Sequence, residues 1–124
     1  MYGRQATWGL ENQRALKAVV ANTKINMMHA PRPGKKLCVL DLDRTLLHFT
    51  QRREVAVESI KRPYMDAFLV ALYQKYDLVV WSQTSWRWVE VKLTELGMLT
   101  HAGYKICLTL DETAMFRVKC HSVK

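Results

Sequence analysis

The sequence predicts an α/β fold built on a parallel sheet, and three observations carry that prediction. Residues 37–40 and 78–81 are two short, continuous apolar runs of the length that suits buried strands. Between them Met65, Phe68, Leu69, Leu72 and Tyr76 recur at helical spacing, forming one apolar stripe. Each run ends in a polar residue, Asp41 after the first and Ser82 after the second. A strand, a crossover helix and a second strand make a right-handed parallel unit. Ligands of such sheets bind outside the carboxyl ends of the strands, so Asp41 and Ser82 are predicted to open onto one crevice.

Taken in order, residues 1–10 carry little signal. Residues 11–28 place Leu16, Val19 and Val20 at helical spacing, with Glu11 or Asn12 near the start. Ala30-Pro31-Arg32-Pro33-Gly34 breaks that helix and leads into the first strand, predicted to be buried on both faces. Residues 49–61 alternate around Val55 and Val57, which fits a short hairpin projecting over the strand end and equally a plain loop. Pro63 suits the first position of the crossover helix, where its missing N–H costs nothing. After the second strand, Thr84 or Ser85 can cap a helix whose Trp86, Val89, Leu93 and Leu96 form an apolar face, with Gly97 as its stop. Residues 103–110 alternate as a half-exposed strand, 111–113 read as a turn, and 115–118 as a return strand.

The chain as a whole fits one modest domain, its 124 residues being 49% hydrophobic with four Trp and five Tyr. A basic helix and lead-in over residues 1–30 and a main domain over 31–124 are the expected divisions. Lys and Arg number 19 against 11 acids, a formal charge of +8, and residues 1–36 hold seven basic residues against one acid. Such a surface attracts acidic partners. No nucleic-acid reading motif accompanies it, so a solvated basic face without sequence-specific binding is expected. Cys38, Cys107 and Cys120 lack paired or metal-ligand spacing and read as free thiols of a reducing compartment. No apolar run approaches the roughly 20 residues that span a bilayer, nor is there a signal-peptide core. The chain is read as soluble and intracellular.

The chemistry concentrates where the first apolar run ends. At strand-like spacing Asp41, Asp43 and Thr45 are predicted to point the same way, so two carboxylates share one small volume. Like charges that close are costly unless a cation lies between them. Mg²⁺ held by carboxylates is usual equipment for phosphoryl transfer. A hydroxyl such as Ser82, just before a helix N-terminus, is well placed to bind a phosphate oxygen.

The string Lys-Lys-Leu-Cys-Val-Leu-Asp-Leu-Asp-Arg-Thr-Leu-Leu-His at 35–48 resembles the first motif of the haloacid-dehalogenase (HAD) superfamily, whose members use the first Asp as a nucleophile. Leu46-Leu47-His48 narrows the likeness to the branch that dephosphorylates the C-terminal domain of RNA polymerase II. Within it, Tyr-Asp-Leu-Val-Val-Trp-Ser-Gln-Thr at 76–84, Trp88-Val89-Glu90, Glu95-Leu96-Gly97 and the Pro-Arg-Pro-Gly-Lys-Lys entry are most similar to the subfamily that also carries a ubiquitin-like domain. The likeness runs over residues 11–124.

This resemblance implies a HAD-like Rossmannoid parallel sheet flanked by helices, with a flap after strand 1 and a β-hairpin near the C-terminus. It implies a Mg²⁺-dependent phosphoserine/threonine protein phosphatase working through an aspartyl-phosphate. Asp41 would be nucleophile and Mg²⁺ ligand. Asp43 would be general acid and base and give Mg²⁺ its backbone carbonyl. Thr45 and Ser82 would hold phosphoryl oxygens, and Lys124 would neutralise the phosphate. Implied partners are the phosphorylated polymerase tail or another phosphoserine protein, with the proteasome a partner only of the full-length protein, and the implied place is the nucleus, with the cytoplasm as a second residence. The ubiquitin-like domain and the family's later acidic pair have no counterpart before Lys124. An incomplete sheet and impaired catalysis are therefore expected, the alternative being an inactive phosphopeptide-binding or scaffold fragment. The preferred phosphosite and the oligomeric state are not written in these residues.

Overall fold

The computed structural model describes residues 9–48 and 60–118. In chain order come helix α1 (Leu10–Asn22), strands β1 (Asn26–Met27) and β2 (Lys36–Leu40), helix α2 (Met65–Tyr73), strand β3 (Tyr76–Trp81), helix α3 (Trp86–Glu95) and strand β4 (Ile106–Leu110). A 3-10 turn, Glu112–Ala114, follows. The strands form one sheet in the order β1-β4-β3-β2. β2, β3 and β4 run parallel, and β1 lies antiparallel on β4. This is the predicted α/β architecture, with β2, α2 and β3 as its parallel unit.

The parallel register places both site-bearing strand ends together, since Cys38 pairs with Leu78 and Leu40 with Val80. One core joins the elements: Leu69 of α2, Leu78 and Val80 of β3, Val89 and Leu93 of α3, Tyr104 and Ile106. α3 presents the expected face. Its end is a Schellman motif, with Gly97 at φ 70°, Met98 N–H on the Leu93 carbonyl (2.9 Å) and Gly97 N–H on that of Thr94 (3.1 Å).

Several local expectations give way to tertiary structure. β2 is not buried on both faces: Leu37 is 53% and Val39 51% exposed. It closes the strand order with β3 as its one neighbour among the described residues, and only Cys38 and Leu40 pack toward the core. α2 begins at Met65, not Pro63, because Tyr64 adopts φ 64°, ψ 19°, a left-handed conformation that cannot continue a right-handed helix. Its stripe is narrower than predicted, with Phe68 48% exposed and Tyr76 belonging to β3.

α1 ends at Asn22, well short of the expected 28. The Asn22 amide and Thr23 hydroxyl donate to the carbonyls of Ala18 (2.8 Å) and Val19 (2.6 Å), and Asn26 and Met27 then pair with Thr109 and Leu108. β4 starts at Ile106 and is largely buried, being an interior strand between β3 and β1. Both its edges are taken, so no returning partner can join it. Residues 115–118 accordingly form no strand, and the C-terminal hairpin is absent among the described residues. Asp111 redirects the chain instead, accepting the Thr113 N–H (2.9 Å) to start the 3-10 turn. The flap expected at 49–61 lies almost wholly outside the described residues.

At the other end of the sheet a single arginine ties three segments. Arg32 donates through its backbone N–H and Nε to the two oxygens of buried Asp77 (both 2.8 Å), and through Nη2 to the carbonyls of Tyr73 (2.6 Å) and Tyr76 (2.8 Å). Its guanidinium also lies 3.8 Å from the Tyr73 ring centroid. Cys38 and Cys107 are free thiols, and Cys120 lies outside the described residues. Among the described residues no helix is long and apolar enough to cross a membrane.

Candidate active site

β2 stops at Leu40, and the next residues wrap around a buried Leu42. The N–H groups of Thr45, Leu46 and Leu47 all converge on its carbonyl (3.4, 3.0 and 3.3 Å). Arg44 takes a left-handed conformation, φ 64°, which lets the turn close within so few residues. Leu42, Leu46 and Leu47 point into the core. Asp41, Asp43 and Thr45 are thus gathered by a tight turn pinned from below, and not by the strand alternation that the spacing suggested.

The result is a cleft of about 740 Å³ across the ends of β2 and β3. Asp41, Asp43, Arg44 and Thr45 line one side, and Trp81, Ser82, Gln83 and Thr84 the other. Asp41 and Ser82 do face one crevice, as predicted. Each Asp41 oxygen accepts a hydrogen bond: Oδ1 from the Leu42 N–H (2.9 Å) and Oδ2 from the Thr45 hydroxyl (3.1 Å). An exposed carboxylate held at both oxygens is restrained in direction, a form of preorganisation.

Ser82 is 1% exposed; its N–H donates to the Leu110 carbonyl (3.0 Å) and its hydroxyl shares a hydrogen bond with that of Thr84 (2.9 Å). Thr84 therefore belongs to the site, not to the helix cap. Ser85 holds the N-cap position of α3 without a side-chain cap bond. Lys124 lies outside the described residues.

Lys92 is a site residue that the motif spacing does not name. It reaches from α3 and forms an ion pair with Asp43 Oδ1. A trace of this was legible: Lys92 flanks the buried face of α3, next to Leu93 and three residues after Val89. Such a position lets a long side chain reach inward, but the sequence does not name its target.

The turn is braced from the α2 side. Leu47 bridges Asp43 and Lys61, His48 N–H bonds the Ile60 carbonyl (2.7 Å), and Arg62 N–H that of Leu46 (2.9 Å). The Arg62 guanidinium donates to the Arg44 carbonyl (3.0 Å). Asp66 accepts from buried Tyr104 (2.8 Å) and from Lys61 (3.2 Å). Burial pushes the Asp66 carboxyl up, but those hydrogen bonds outweigh it and the carboxyl lies below its ordinary value. Burial, then the bond to Asp66, pushes the Tyr104 hydroxyl far up.

Among the described residues no three His, Cys, Asp or Glu side chains cluster to cage a metal. What the cleft offers is hard oxygen, with the Asp41 carboxylate and Asp43 beside it. That donor set suits Mg²⁺, which typically takes one or two carboxylates, substrate phosphate oxygens and retained waters. It does not suit a softer metal.

A family model of NLI interacting factor-like phosphatases matches residues 36–124. Over 108 residues the chain is 44% identical to the ubiquitin-like domain-containing CTD phosphatase 1 of Homo sapiens and to that of Bos taurus. Those alignments cover 87% of this chain and 34% of each relative. The ubiquitin-like domain-containing CTD phosphatase of Arabidopsis thaliana is 43% identical over 108 residues, covering 87% of this chain and 32% of the relative. The chain spans about a third of the length of the curated relatives it matches. With the family model spanning the parallel sheet and the aspartate turn together, the chain belongs to the NLI interacting factor-like phosphatase family.

Proposed function

We propose that this chain carries the nucleophile of a phosphoserine/threonine protein phosphatase, acting on the phosphorylated C-terminal domain of RNA polymerase II in the nucleus. The observation that bears most weight is the anchored Asp41 carboxylate, held at both oxygens at a parallel strand end and facing Ser82 across the cleft. A carboxylate so restrained can approach phosphorus in line.

Asp41 attacks the phosphoryl group and the P–O bond to serine breaks, leaving an aspartyl-phosphate. The departing serine oxygen takes a proton from Asp43, which must enter this step protonated. Water then attacks phosphorus and gives a proton back to Asp43 while the bond between phosphorus and the Asp41 oxygen breaks, restoring the Asp41 carboxylate and releasing inorganic phosphate. Ser82 and Thr84 offer hydroxyls to phosphoryl oxygens on the far wall. When bound by Asp41 and the Asp43 backbone carbonyl, Mg²⁺ supplies charge compensation for the transferring group. With so few donors among the described residues it would be held loosely, and weak steady turnover is the expected outcome.

The test therefore reads the intermediate and phosphate release together. The chain is mixed with Mg²⁺ and a phosphoserine heptad peptide, acid-quenched, and examined by mass spectrometry for phosphate on Asp41. Label on Asp41, lost in Asp41→Asn, supports the nucleophile. Peptide binding with neither label nor phosphate release assigns the chain to the non-catalytic alternative. Phosphate release that survives Asp41→Asn overturns the assignment.

A further inference from the structure

Two aspartates of one cleft are given different roles above, and the sequence offers no reason for the difference. The structure contains one. Asp43 lines the cleft, whereas Lys92, which grips its carboxylate, is not among the lining residues. The contact is made from behind, off the last turn of α3. Both side chains are shielded, Lys92 13% and Asp43 23% exposed, so the attraction is stronger than between fully solvated groups. Lys92 is itself braced, its ammonium lying 5.1 Å from the Trp88 ring centroid one helical turn earlier. The oxygens of Asp41 are held differently, by neutral donors of its own turn, Leu42 and Thr45. Among the described residues, Asp43 is charge-compensated by a lysine and Asp41 is held by neutral donors.

We propose that Lys92 is a positioning residue that reserves the Asp43 carboxylate. By engaging Oδ1 it keeps that carboxylate from turning onto a cation beside Asp41. The cation then faces the Asp41 carboxylate alone, which sets the division of labour between the two aspartates. This rests on the phosphatase reading for the meaning of the division, but its geometry is tested without turnover.

The probe is Mn²⁺ alone, titrated against the 124-residue chain and followed by electron paramagnetic resonance. Lys92→Met frees Asp43 to become a second carboxylate ligand, so Mn²⁺ should bind about tenfold tighter than to the parent chain. Lys92→Arg, which keeps the charge and reach, should stay at the parent affinity. Losing an ammonium also favours any nearby cation, and the Asp43→Asn background isolates that general effect. There, Lys92→Met should change the affinity less than about twofold, because no carboxylate remains to be released. Should Lys92→Met unfold by circular dichroism, Lys92→Gln carries the same comparison. An equal gain in both backgrounds, an unchanged affinity, or no Mn²⁺ binding by Lys92→Met or its replacement overturns the proposal. The nucleophile reading is decided separately, by phosphate on Asp41.

Discussion

Replacing Arg32 by Ala should weaken the fold far more than an ordinary surface substitution, in a way that depends on pH. Arg32 satisfies both oxygens of Asp77 and the carbonyls of Tyr73 and Tyr76, at the start of β3 and the last residue of α2. The Asp77 side chain is 3% exposed and that of Arg32 33%. Breaking a fully buried pair costs about 3–5 kcal/mol. Two features lower the figure: the guanidinium is partly solvated, and Arg32→Ala keeps the backbone N–H bond to Asp77. A loss of about 2–3 kcal/mol remains, which for a domain of this size lowers the melting temperature by roughly 10 °C. The hydrogen bond from Arg32 holds the Asp77 carboxyl below its ordinary 3.8, outweighing the upward push of burial. A depressed carboxyl contributes stability that is complete above the unfolded-chain value and is lost as pH falls through the folded one. The gap between the parent chain and Arg32→Ala should therefore be full near pH 7 and shrink as the pH falls below the ordinary carboxyl value of 3.8 and through the lowered folded-state one. Urea melts across that range measure it. A gap below about 0.5 kcal/mol at neutral pH, or one that stays constant into acid, would refute the reasoning.

Two further substitutions test the packing. Thr109 is fully buried in β4 and its hydroxyl has no hydrogen-bond partner among the described residues, so Thr109→Val should leave stability unchanged or raise it by about 1 kcal/mol; a clear loss in urea melts would reveal a partner for that hydroxyl. A Cβ on Gly103 would come within 2.7 Å of Val70 Cγ2 on α2, so Gly103→Ala should cost about 1–3 kcal/mol. Adding Val70→Ala should recover part of that loss, and a purely additive double variant would argue against the clash.

How much of this was legible depends on whether the deciding interactions are local. The β3 run, the α3 face, the stop at Gly97 and the shared crevice of Asp41 and Ser82 follow from periodicity and chain order, which are short-range or topological. The misreadings share another cause. Residues 23–28 look like the tail of a helix until β4 offers them an edge. Tyr64 has no special sequence signature for a left-handed residue, and its conformation alone moves the start of α2. Strand 37–40 has the composition of a buried strand yet has one neighbour among the described residues, a fact set by the order of the sheet. The Asp43–Lys92 pair spans 49 positions, beyond any spacing rule.

That one-sided neighbour has a consequence for motion. Among the described residues β2 has a single partner ladder, which leaves alternate amides directed away from it, so hydrogen exchange along β2 should run in a two-residue rhythm of protected and fast positions. β3, paired on both sides, should show no such rhythm. Of the three parallel strands, the one that ends in Asp41 is then the cheapest to open. The turn after it is fastened separately, by the Leu42 carbonyl and the buried Leu46 and Leu47. The candidate nucleophile thus sits at the junction of a soft ribbon and a stiff knuckle, and keeps its bearing from the knuckle.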